Sequence, residues 1–114
     1  MILFFAISLG FMQDKPKNLQ VLEFESVRDL KKYMKKIQKD LGVKCKFCHD
    51  INDKSIDTEH KIIAREMMKM QIDLNKGFFT QIGDSLLKHG NTPQISCWTC
   101  HRGSKKPQLL RPKE

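Results

Sequence analysis

The sequence predicts a small all-α domain, and three observations carry that expectation. Apolar residues recur at helical spacing in separate stretches, while Val, Ile and Thr never form a sustained alternating run. All four cysteines fall in two strings of one pattern, Cys45-Lys46-Phe47-Cys48-His49 and Cys97-Trp98-Thr99-Cys100-His101. With 114 residues the chain makes one small domain with a modest core of its own.

Each string is a c-type haem attachment motif. Two thiols three residues apart reach the two vinyl groups of one porphyrin, and the adjacent imidazole reaches its iron from the same short turn. The expected cofactors are therefore two covalently attached haem c groups, held by Cys45 and Cys48 and by Cys97 and Cys100, with His49 and His101 on the irons. Each brings a large apolar plate for helices to pack around. A zinc ribbon also uses paired cysteines, but its pairs stand about 15 to 20 residues apart. Here 48 residues lie between Cys48 and Cys97, and a ribbon has no need of a histidine after both pairs. A thioredoxin-like dithiol belongs beside a βαβ pattern, which this chain lacks.

The elements follow in order. Ile2 to Met12 is an apolar run of eleven residues, short for a membrane span of about 20 and suited to a signal-peptide core of about 7 to 15. Residues 1–13 are accordingly expected to be a signal peptide or a short anchor, although no Lys or Arg precedes the core and no A-x-A site follows it. Haem attachment to this motif takes place outside the cytoplasmic membrane in bacteria and archaea, so the expected location is periplasmic or otherwise extracytoplasmic. The haem domain then occupies residues 14–103. Ser26 and Asp29 resemble a capping box ahead of Val27, Leu30, Met34, Ile37 and Leu41, and Gly42 can end that helix in a left-handed turn. After the first motif, Asp50 to Thr58 reads as an irregular segment in which Asp57 or Thr58 caps a second helix. That helix sets Ile63, Met67, Met70 and Leu74 on one face, expected to be buried, and stops near Asn75-Lys76-Gly77. A third stretch from Phe78 to His89, a stop at Gly90 and a turn at Asn91-Thr92-Pro93 lead to the second motif. Residues 104–114, with two prolines and four basic side chains, read as a mobile tail.

Charge bounds the partners. Lys and Arg number 21 against 13 Asp and Glu, a net charge of +8. A basic surface steers the chain to an acidic redox partner, a membrane complex or an anionic membrane face. No nucleic-acid reader motif or aromatic-interleaved basic stripe is present, which argues against nucleic acid.

Methionine opposite histidine is a common axial pair for electron-carrying haem. Met34 stands eleven residues before Cys45, on the apolar stripe of the first helix. The second helix offers Met67, Met68 and Met70; Met67 and Met70 share a face, and Met68 lies about 100° from Met67. Spacing alone does not choose between Met67 and Met70, and a methionine on such a stripe also serves as ordinary core.

Asn18-Leu19-Gln20-Val21-Leu22, Met34 ahead of Leu41-Gly42-Val43-Lys44 and the first motif, Ala64-Arg65-Glu66-Met67-Met68-Lys69-Met70 reaching Asn75, and Cys97 to His101 followed by Arg102-Gly103 together resemble one dihaem half of the tetrahaem cytochrome c subunit of photosynthetic reaction centres. The resemblance spans residues 18 to 103. It implies a helix running alongside each porphyrin with a methionine as distal ligand: Met34 opposite His49, and Met67 opposite His101, with Met70 the rival. Small dihaem relatives also occur in non-photosynthetic bacteria, so photosynthesis is not implied. The segment from Asn75 to Cys97 is longer here than in the half it resembles. Where some halves carry a further ligating histidine, this chain has Gln81 or Ile82. His89 reads instead as a surface or helix-end residue, and His60 as a solvated one.

Haem with both axial positions filled leaves outer-sphere electron transfer as its chemistry. The expected role is an exported dihaem electron carrier or relay with no enzymatic activity. Two other classes remain: a haem enzyme or gas sensor with one open iron, and a structural subunit of a larger multihaem complex.

Overall fold

The computed structural model describes residues 14–79 and 94–114, and among these there is no strand. Helix α1 spans Val27–Leu41, a 3-10 turn Cys45–Phe47, helix α2 Glu59–Asp73, a π-helical segment Leu74–Phe79, and a short helix α3 Cys97–His101. The expected signal peptide, the third stretch beyond Phe79 with Gln81, Ile82 and His89, and the turn at Asn91 to Pro93 lie outside the described residues.

The caps of α1 are those the sequence suggests. Ser26 Oγ accepts the Asp29 N–H at 3.2 Å and donates to the Asp29 carboxylate at 2.9 Å. Gly42 closes the helix at φ 63°, a conformation that a side chain would strain. A Cβ there would also collide with the Gly103 carbonyl oxygen, so only glycine lets the end of α1 meet the chain leaving α3. Gly103 N–H donates to the Asp40 carbonyl at 2.8 Å, and α1 packs against α3 along this joint. The Phe24 and Tyr33 rings, 5.4 Å apart, tie the irregular segment that enters α1 to the same helix.

Helix α2 begins at Thr58, whose Oγ1 accepts the Lys61 N–H at 3.2 Å and donates to the Cys48 carbonyl. Two expectations for this helix are corrected. Its run does not stop at Asn75-Lys76-Gly77 but continues through Phe79 as a π-helix, a widened turn that often marks a functional position. Nor is the stripe Ile63, Met67, Met70 and Leu74 the buried one; all four are exposed, and Met68 is buried. The reason is geometric: α2 is a partition with an opening on either side.

Met68 and Asp40 are the buried residues among those described, and no side chain is fully enclosed. The apolar faces of α1 and α2 turn towards two clefts rather than into a shared core.

Candidate functional site

The first cleft is walled by α1 through Met34, Ile37 and Leu41, by α2 through Lys61, Ala64, Arg65 and Met68, by Leu19 to Leu22, and by Cys45, Cys48 and His49. Positions 61, 64, 65 and 68 repeat at the three- and four-residue spacing of one helix face. The second, about 2080 Å³ and open to solvent, is lined by Met67, Met70 and Gln71 of α2, by Ile95 to Cys97, by Thr99 to Arg102, and by tail residues including Lys106, Leu109 and Arg111. Met34 thus shares a cleft with the first motif. Met67 and Met70 share the other with the second motif, at 49 % and 50 % exposure. The tail, expected to be mobile, runs along this second cleft.

Both motif histidines are held the same way. His49 Nδ1 lies 3.2 Å from the Lys54 carbonyl and His101 Nδ1 2.9 Å from the Ser104 carbonyl. A carbonyl only accepts, so Nδ1 carries a proton, which in a neutral imidazole leaves the lone pair on Nε2, the orientation common to metal-bound imidazoles. Burial, opposed in part by the Lys54 hydrogen bond, pushes the His49 pKa down, which favours the neutral, ligating form. The four thiols are free; burial raises Cys48, and burial followed by the Asp40 charge raises Cys97.

Two polar knots fix the motifs. Below the first, Asn18 Nδ2 donates to the Ser55 carbonyl at 2.6 Å and to Asp57 Oδ1 at 2.8 Å, and Arg65 Nη2 reaches the same Asp57 oxygen at 2.8 Å. Lys61 Nζ donates to the carbonyls of Lys54, Ser55 and Ile56, so the carbonyl that orients His49 is itself held. Before the second motif, Asn75 exchanges two bonds with Ile95, Nδ2 to its carbonyl and Oδ1 from its N–H, each 2.9 Å, and Gln71 Nε2 adds a third at 2.9 Å. Ser96 N–H then donates to Thr99 Oγ1 at 2.9 Å, starting α3. In the first motif Phe47 stacks on His60 at 4.2 Å, with Lys105 Nζ 5.8 Å from its centroid. His60, expected to be solvated, is exposed but has a partner.

The residues fit two haems. Each cleft combines an apolar wall, two thiols, an imidazole, a methionine, and basic side chains able to face propionates: Lys44 at one, Arg102, Lys106 and Arg111 at the other. The cysteine pairs line different clefts, and no three His, Cys, Asp or Glu side chains converge on a metal position among the described residues, unlike a zinc ribbon.

Sequence reasoning named the motif residues and Met34, which line the clefts, but missed the knots. Asn18, Arg65 and Asn75 stand in the strings that carry the family resemblance, yet their bonds reach across 37, 47 and 20 residues, and no local period marks them.

Among known proteins, the chain is 34% identical over 89 residues to cytochrome c-554 of Chloroflexus aurantiacus, a match covering 76% of this chain and 20% of that protein. It thus spans about a fifth of the relative's length. The family model of the photosynthetic reaction centre cytochrome c subunit matches residues 11–111, almost the whole chain. With its two attachment motifs, its all-helical fold and these matches, the chain belongs to the photosynthetic reaction centre cytochrome c subunit family.

Proposed function

We propose that the chain is an extracytoplasmic dihaem cytochrome c that relays single electrons and catalyses no reaction of its own. The observation that carries this is the duplication of one arrangement: each cleft brings together a C-x-x-C-H motif, a Nδ1-anchored histidine and at least one methionine from a neighbouring helix. When bound, haem supplies one-electron exchange between ferrous and ferric iron.

In this reading Cys45 and Cys48 would hold the first haem, with His49 and Met34 as the protein ligands to its iron. Cys97 and Cys100 would hold the second, with His101 and Met67 as the protein ligands and Met70 one helical turn away as the alternative. Lys54 and Ser104 carbonyls fix the tautomer and ring angle of the two imidazoles, and a more basic imidazole is a stronger donor. Helix α1 borders the first cleft and packs on the second motif, and α2 borders both clefts, so the two centres are neighbours across single helices.

The partner is an acidic redox protein, free or within a membrane complex. The outer face of α1 supports this: Lys31, Lys35 and Lys39 form a row at i, i+4 spacing with no ion pair among the described residues. Like charges so spaced weaken a helix, and an external acidic surface would relieve them.

The decisive experiment is an oxidised and reduced absorption spectrum with iron content per chain, on protein from a host that matures c-type cytochromes. Two irons per chain, α-bands that survive acid-acetone extraction, and no carbon monoxide binding by the reduced protein are expected. Colourless or zinc-loaded protein overturns the cofactor assignment, and carbon monoxide binding at one haem would favour a sensor or enzyme with one open iron.

A further inference from the structure

Asp40 is the one charged residue buried among those described, and it sits where α1 meets α3. Its carboxylate pairs with Lys36 Nζ at 3.0 Å, but unevenly: the Asp40 side chain is 12 % exposed and that of Lys36 58 %. The lysine end therefore stands largely in water, where its charge is screened, while the carboxylate faces the protein. Its neighbours on the protein side are the second attachment motif and Tyr33. The Cys97 thiol is raised by burial and then by the Asp40 charge, against a smaller lowering by Lys36; at the Tyr33 hydroxyl, raised by burial and Cys97, the Lys36 charge outweighs that of Asp40.

A buried carboxylate is costly, and a partner standing in solvent repays it poorly. The joint between α1 and α3 does not need it, because Gly103 donates to the Asp40 backbone carbonyl, which any residue would supply. Nor does Asp40 line either cleft. What the side chain adds is negative charge, in a poorly solvated position, behind the turn that carries Cys97 and His101.

We propose that Asp40 sets the reduction potential of the second haem: its charge favours the ferric over the ferrous state at the Cys97–His101 site and holds that potential down, with Lys36 moderating the effect. This rests on the two-haem reading above. The second site is thereby poised differently from the first by a residue of the helix that runs alongside the first. Asp40 acts through the field at the haem and is not a ligand.

The test is potentiometric titration of the wild-type holoprotein, Asp40→Asn and Lys36→Met, with paramagnetic NMR shifts assigning each midpoint to its haem. Asp40→Asn keeps the shape and removes the charge. It should raise the ferrous-to-ferric ratio of the second haem about tenfold at fixed ambient potential, about 59 mV for one electron, while the first haem moves far less. Lys36→Met leaves the carboxylate unpaired and should move the second haem the opposite way. Unmoved potentials, equal shifts at both haems, or shifts of the same sign in the two variants would overturn the proposal, the last pointing to packing rather than charge. If Asp40→Asn fails to mature, the sign of the Lys36→Met shift decides. Wild-type protein with fewer than two haems overturns both readings; two haems with potentials indifferent to these residues sinks this one alone.

Discussion

Asp57 lies at the surface, yet Arg65 and Asn18 both donate to it and Lys61 stands 3.5 Å away. The Arg65 hydrogen bond, opposed by partial desolvation and helped by Asn18, holds its pKa below the ordinary 3.8. A carboxyl depressed by folding stabilises the fold fully above its unfolded value and ceases to as pH falls through its folded one. The segment that presents the Lys54 carbonyl to His49 should therefore loosen below about pH 3.8. Amide hydrogen exchange across residues 50–58 should rise there in the wild type, and Asp57→Asn should flatten that acid dependence; an unchanged profile would remove Asp57 from the knot. Gly42 makes a second prediction at this scale. Any side chain there meets both a positive φ and the Gly103 backbone, so Gly42→Ala should cost about 1–3 kcal/mol or more. Chemical denaturation of the holoprotein measures it.

The middle elements gain their roles from what lies on either side of them. Helix α1 was legible because its stripe, its N-cap and its terminal glycine all agree, and one amphipathic face against one cleft is what periodicity detects. Helix α2 was legible in position but not in orientation. Its two faces serve two clefts, Met68 lining the first and Met67 and Met70 the second, and a single-stripe expectation sees only one of them. The two C-x-x-C-H strings are visible directly, since the pattern is local to five residues, and each lines its own cleft. The Asn75 clasp is not visible in this way, because a side-chain amide pairing with the Ile95 backbone has no sequence period. It is also what turns the chain into α3, and the π-helical segment begins just before it. Asn75→Ala would leave the Ile95 N–H without this partner, a loss of about 1–3 kcal/mol. The effect should fall on the second haem, as altered absorption or potential with the first haem unchanged; equal disturbance of both would make the clasp a general stability element.

At the scale of the molecule, a chain with one buried apolar residue among those described cannot hold its helices by mutual packing alone. Cofactor insertion and folding should accordingly be coupled. Chain made without haem should retain helical far-ultraviolet dichroism but lose near-ultraviolet dichroism and bind a hydrophobic dye; a cooperative, native-like transition without haem would contradict this. The same thin architecture brings the surface close to both clefts, since a helix is only about 10–12 Å across with its side chains. An acidic protein docked on the Lys31, Lys35 and Lys39 row would stand roughly one helix from the first cleft. Docking of this kind gains its rate from charge, and charge is screened over about 10 Å at 0.1 M salt. The second-order rate of electron exchange with an acidic redox protein should therefore fall as salt rises. Lys31→Gln, Lys35→Gln and Lys39→Gln together should flatten that slope while leaving both haem spectra intact. A triple variant that keeps the wild-type salt slope would move the docking face elsewhere, with the cations around the second cleft, Arg102, Lys106 and Arg111, the next to test.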